Sequence, residues 1–232
     1  MKKESLDEVK NLINYINKNE LKFDKETINT FRRSLNMIMF MEVNSPNIGK
    51  FDIFKFTAND ELRPILSCVH YEDGMCSATD GKMIVRTKIG YKEEFDGKNI
   101  SRIGREIDER YPNVNSVIPN VTESHTEYEV DFDLIDAYVK SGKIWAQTNR
   151  LPKSKIENHL VINFHGAYLR LMKLQVLCTA MKAIGMNSLY VNKDNLKAVF
   201  MKNDDNEVVI INPLMPDEKY KDVNEYFYCE IN

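Results

Sequence analysis

Apolar positions recur at two spacings along this chain. Over 5–19 and 24–41 they fall three and four apart: Leu6, Val9, Leu12, Ile13 and Ile16, then Ile28, Phe31, Leu35 and Ile38. That spacing predicts two amphipathic helices, with Ser5 and Asp24 as N-caps. From Arg63 to Lys88 the pattern changes to short β-prone runs divided by Asp73-Gly74 and Asp80-Gly81. Asp-Gly between apolar runs marks hairpins, because a type I′ turn needs positive φ at both central residues. The stretch therefore predicts a three-strand meander at 64–71, 75–79 and 83–89. A further strand is expected at 51–56, after a loop over 43–50, and short ones near 99–102 and 105–107.

The segment 111–122, with Pro112 and Pro119, has no periodicity and reads as an extended linker. After it come a strand at 127–131 and a helix at 133–141 that ends around Lys140, Gly142 and Lys143. A loop follows at 149–158. Strands are expected at 159–164 and 167–172, with a helix at 173–184 closed by Gly185. Leu174, Leu177, Cys178, Met181 and Ile184 form that helix's buried side. Strands at 188–192, 196–202 and 207–211 complete the pattern; the charged, aromatic tail 216–232 has no clear role. The expected class is α+β, as two similar units that each combine antiparallel strands with one or two helices. The units divide as an N-terminal helical extension at 1–19, a first domain at 20–118, and a second at 119–232 with the tail.

Composition changes this picture little. With 232 residues, 43% hydrophobic and 29% charged, the chain is ordinary for a globular protein. A net charge of −3 argues against a protein that coats nucleic acid with its whole surface, but leaves room for a local basic face. Helices 24–41 and 173–184 supply one, since Lys25, Arg32, Arg33, Lys173 and Lys182 lie on polar sides nearly free of acids. The four cysteines, Cys68, Cys76, Cys178 and Cys229, form no CxxC pair and are expected as reduced structural thiols. No apolar leader and no run near 18 apolar residues occurs, which points to a cytoplasmic protein.

Candidate catalytic chemistry is sparse. His70, His125, His159 and His165 show no ligand spacing. Asp131, Asp133 and Asp136 are read as a helix cap and solvated neighbours rather than a metal cluster. No GxSxG, P-loop or GxGxxG occurs. No enzyme and no cofactor is expected.

The wording of three segments goes further than their pattern. Ala78-Thr79-Asp80-Gly81-Lys82, after Leu62-Arg63-Pro64-Ile65-Leu66, resembles the middle domain of the bacterial sliding clamp, the DNA polymerase III beta subunit. Tyr111-Pro112-Asn113-Val114-Asn115-Ser116-Val117-Ile118-Pro119 resembles its link from middle to last domain. Val208-Val209-Ile210-Ile211-Asn212-Pro213-Leu214 resembles its final strand and ending. The three occur in the family's order.

The resemblance implies a short two-domain member of the DNA-clamp fold, with sheets outside and helices facing duplex DNA. If six domains close a ring, three copies of this chain would be needed. Lys25, Arg32, Arg33, Lys140, Lys143, Lys173 and Lys182 would face the DNA backbone, without sequence preference. The resemblance also implies a pocket at the domain junction for short peptides of polymerases and repair proteins. Its walls would be Thr79, Gly81, Lys82, Met83 and Ile84, then Pro112, Ser116 and Val117, then Ile210, Asn212, Pro213 and Leu214. Met83 stands where the family has a basic residue, and 88–111 is shorter than the family by about a helix and some strands. The alternative is a clamp-like protein-interaction module that kept the pocket without ring or DNA binding.

Overall fold

A computed structural model describes residues 51–58 and 62–231. The expected helices 5–19 and 24–41, the loop 43–50, and Lys25, Arg32 and Arg33 lie outside them.

The meander is present as β1 (Cys68–Glu72), β2 (Met75–Thr79) and β3 (Met83–Thr87), all antiparallel neighbours. Asp73 and Gly74 both have positive φ, 54° and 76°, as the hairpin signal requires. The second turn is built differently. Only Gly81 has positive φ, and Asp80 instead folds its carboxylate over the turn, with Oδ1 accepting from the Lys82 and Met83 amides at 2.8 Å. Two strand expectations give way to 3₁₀ turns. Pro64–Ser67 precedes β1 because Pro64 presets φ and lacks the donor a strand would need. Ile53–Phe56 forms where Asp52 Oδ1 caps the Phe54 amide at 3.0 Å, burying Phe51, Ile53 and Phe56.

Next come β4 (Asn99–Ser101) and β5 (His125–Glu129). The strand expected at 105–107 is reduced to one bridge between Ile100 and Glu106. Helix α1 covers Phe132–Thr148, a turn and more beyond its expected end. Gly142 lies inside it, because the backbone there approaches Leu160 and Phe227 too closely for a side chain. Of the acidic residues at its start, Asp131 caps the helix, Oδ1 accepting from the Asp133 and Leu134 amides. Helix α2 (Lys153–His159) replaces the expected loop, starting directly after Pro152. Then follow β6 (Leu160–Phe164), β7 (Ala167–Arg170), α3 (Leu171–Ile184), β8 (Ser188–Asn192), β9 (Val199–Lys202) and β10 (Val208–Ile211). The tail ends in β11 (Phe227–Ile231), which runs parallel to β6.

The architecture is α+β. Among the described residues, eight strands form one sheet in the order β4-β1-β2-β3-β10-β9-β8-β5, and β11-β6-β7 form a second. The pairing of β3 with β10 joins strands from the two halves of the chain into that single sheet. Helix α3 packs on β3 and β10 of the large sheet and on β6 and β7 of the small one. Strand alternation divides the large sheet's two faces. Met83, Val85, Val209 and Ile211 enter the main core with Leu174, Leu177 and Met181 of α3. Ile84, Val208, Ile210 and Phe200 point the other way and form a separate cluster. No helix among the described residues is long and apolar enough to cross a membrane.

Candidate functional site: a groove on the second face of the sheet

The linker crosses this second face and makes the site. Tyr111 stacks on His70, rings 4.9 Å apart and 11° from parallel, and its hydroxyl donates to the Ser77 carbonyl at 3.4 Å. Burial raises its phenol above the usual range. Asn113 Oδ1 accepts from the Ser116 amide at 3.2 Å, capping the 3₁₀ turn Val114–Val117. Asn115 Oδ1 accepts from Arg86 Nη1. Ile118 then comes to rest in the apolar cluster of Phe200, Val208 and Ile210, beside Ile84, Tyr190 and Ala198.

Ile84, two residues past the turn segment, therefore meets Ile118 of the linker and Ile210 of the last strand in one place. In the ladder, Ile84 pairs with Ile210 on one side and with Thr79 on the other. Thr79 is buried on this same face, its hydroxyl donating to the Met83 carbonyl at 2.7 Å. Pro112 lines a cavity of about 350 Å³ nearby. Ser116 and Val117 are exposed on the linker, Val117 by 53%.

The other expected pocket residues are distributed elsewhere. Met83 is 1% exposed and sits in the main core, on the opposite side of the sheet from Ile84. Lys82 and Gly81 lie at the turn, with Lys82 Nζ 3.4 Å from Glu157. Asn212 continues the ladder by donating its amide to the Lys82 carbonyl at 2.9 Å, and the Leu214 amide donates to Tyr168 at 2.7 Å. Pro213 and Leu214 are half-buried. The sequence reading missed Phe200, Ile118 and Tyr190 as members of the cluster. Their signal was the alternation of the strands and the position of Ile118 directly after Val117.

The expected DNA-facing lysines also separate. Lys140 and Lys143 are exposed on α1, and exposed Lys182 on α3 lies 4.8 Å from the centre of the Phe132 ring. Lys173 is only 18% exposed; its Nζ is 2.7 Å from Asp80 and 3.4 Å from Glu157. Among the described residues no group of His, Cys, Asp and Glu is arranged to hold a metal.

No family model matches this sequence, and no curated protein does. The fold resembles that of solved bacterial sliding clamps. The DnaN clamp (DNA polymerase III subunit beta) of Pseudomonas aeruginosa bound to griselimycin is 9% identical with a TM-score of 0.42, over 70% of this chain and 61% of that one. A putative DNA polymerase III beta subunit of Eubacterium rectale is 11% identical with a TM-score of 0.45, covering 77% of this chain and 64% of that one. The beta chain of Streptococcus pneumoniae is 10% identical with a TM-score of 0.44, covering 78% and 63%. The chain thus spans about three fifths of the length of these clamps.

Proposed function

We propose that this protein is a clamp-like, non-enzymatic tethering factor that contacts duplex DNA and captures short peptides of replication or repair proteins. Its two clamp-like units are 20–118 and 119–232. The observation that carries the peptide half is the meeting of Ile84, Ile118 and Ile210 in one apolar cluster beneath the linker. Ile84 and Ile210 meet as ladder partners, and the linker lays Ile118 against them, so stretches far apart in the chain come together on one face. Half-buried Ile84, Ile118 and Tyr190 beside buried Ile210 and Phe200 make a partly exposed apolar patch on which an apolar peptide side chain can pack.

DNA contact would fall to exposed Lys140, Lys143 and Lys182 and to the basic residues of 24–41. Such contacts read phosphate and weaken with salt. One observation favours the second reading, an interaction module without DNA binding: Lys173 is already held by Asp80 and Glu157.

Two titrations test these readings. The clamp-binding peptide of a bacterial replicative polymerase should raise its fluorescence anisotropy on adding the protein; no binding removes the peptide half. Duplex binding that falls steeply with salt and ignores sequence supports the first reading over the second. Absent duplex binding with intact peptide binding leaves the interaction module.

A further inference from the structure

Next to the apolar cluster, the same sheet face carries a cation, Arg86, with no counter-ion among the described residues. Arg86 lies two residues along β3 from Ile84 and opposite Ser77 of β2 and Val208 of β10. It lines two cavities, of about 350 and 240 Å³, and Asn115 lines both as well. Ile118 lines the second cavity and also packs in the apolar cluster, so the apolar patch and the cation adjoin.

Among the described residues, the Arg86 guanidinium makes one hydrogen bond, from Nη1 to Asn115, and no ion pair. Its Nε is buried and has no partner. Glu72 and Asp73 line the same cavities, but Glu72 lies 3.7 Å from His70 and neither carboxylate pairs with Arg86. An arginine stays charged throughout the accessible pH range, and a buried N–H without an acceptor carries a desolvation cost. Asn115 occupies Nη1, and Nη2 makes no hydrogen bond among the described residues. A guanidinium in that state can donate a charge-assisted hydrogen bond to a carboxylate oxygen.

We propose that the apolar patch continues into a carboxylate-binding subsite at Arg86, and that the captured peptide places an acidic side chain there. The proposal rests on the peptide-binding function above. Residues two apart on a strand are separated by about 7 Å. The acidic residue therefore falls about two positions from the apolar side chain that enters beside Ile84. Arg110 and Lys202, which line the flanking cavities, favour the same sign of ligand.

The test has two arms. In the first, the polymerase peptide is extended at either end by Asp or by Asn, two positions beyond its apolar anchor. One Asp extension should bind wild type on the order of tenfold tighter than its Asn counterpart, and R86Q should abolish the difference. Equal binding of Asp and Asn peptides overturns the acidic-partner claim while leaving peptide capture standing. In the second arm, benzoate is titrated and the arginine Nε–H signals are followed by NMR, with benzamide as the neutral control. The signal that R86K removes should move with benzoate and not with benzamide. An unmoved signal overturns the subsite whatever the peptides do. If the signal moves but no peptide binds, the carboxylate subsite stands and its assignment to a peptide fails.

Discussion

Lys173 Nζ lies 2.7 Å from Asp80 Oδ2, joining the first turn of α3 to the loop between β2 and β3. Asp80 divides its two oxygens between tasks: Oδ1 holds the Lys82 and Met83 amides, and Oδ2 holds the lysine. The pair is largely withdrawn from water, with Lys173 18% and Asp80 9% exposed. Asp80→Ala should therefore remove a turn cap and leave Lys173 with Glu157 at 3.4 Å in place of two carboxylates, costing about 2–3 kcal/mol in urea unfolding. Burial pulls the Lys173 pKa down, but its bonds to Asp80 and Glu157 outweigh that and hold it above the ordinary 10.5. A raised lysine contributes its stability in full below the unfolded value and loses it as pH climbs through the folded one. Wild type should thus lose this contribution only above pH 10.5, and Lys173→Met should lack that alkaline step.

If the protein contacts duplex DNA, the lysines divide into two groups. Lys140→Gln, Lys143→Gln and Lys182→Gln should each lower the slope of log affinity against log salt by about 0.9. Lys173→Gln should leave the slope unchanged, because that ammonium already faces two carboxylates. Filter binding across a salt series reads both outcomes.

Gly142→Ala reverses the usual expectation for a helix interior, where alanine gains about 1 kcal/mol over glycine. A Cβ at Gly142 would stand 2.7 Å from Leu160 Cδ2 and 3.0 Å from Phe227 Cδ1. The variant should be destabilised by about 1–3 kcal/mol, with a lower urea midpoint and an unchanged slope.

The four cysteines are free and buried. Burial pushes the thiols of Cys76, Cys178 and Cys229 up to about 12. The thiolate is the reactive form. At pH 8 the native protein should therefore react slowly with Ellman's reagent, and unfolding in guanidinium should release all four thiols at once.

How far this structure was legible in the sequence depended on whether each signal was local. The hairpin at Asp73-Gly74 was legible because two adjacent residues supply its backbone geometry. The helix 171–184 was legible from the spacing of Leu174, Leu177, Cys178 and Met181. Gly142 was misread as a helix end, since its reason for being glycine lies in Leu160 and Phe227, on other elements. Lys173 read as a free cation because Asp80 and Glu157 are distant in sequence. Met83 and Ile84 were both assigned to one wall, although neighbours on a strand face opposite sides. That alternation sends Ile84 to the groove and Met83 to the core. The joining of β3 to β10 has no local signal, as pairing across so many residues is decided by the assembled core.

The alternation also gives the groove an internal control. Met83→Ala should cost about 2–5 kcal/mol of stability, as core truncations do, and leave peptide affinity of the folded protein nearly unchanged.

The most direct test of the groove is the affinity of the polymerase clamp-binding peptide for Ile118→Asp, set against wild type by fluorescence anisotropy. Ile118 is half-buried at the rim of the cluster, so the variant should keep its far-UV spectrum and unfold cooperatively. Asp removes an apolar side chain from the cluster and puts a carboxylate into the cavity that Arg86 lines, so it should weaken the peptide on the order of tenfold or more. Undiminished affinity in a folded Ile118→Asp protein would contradict a peptide site built where the three segments meet.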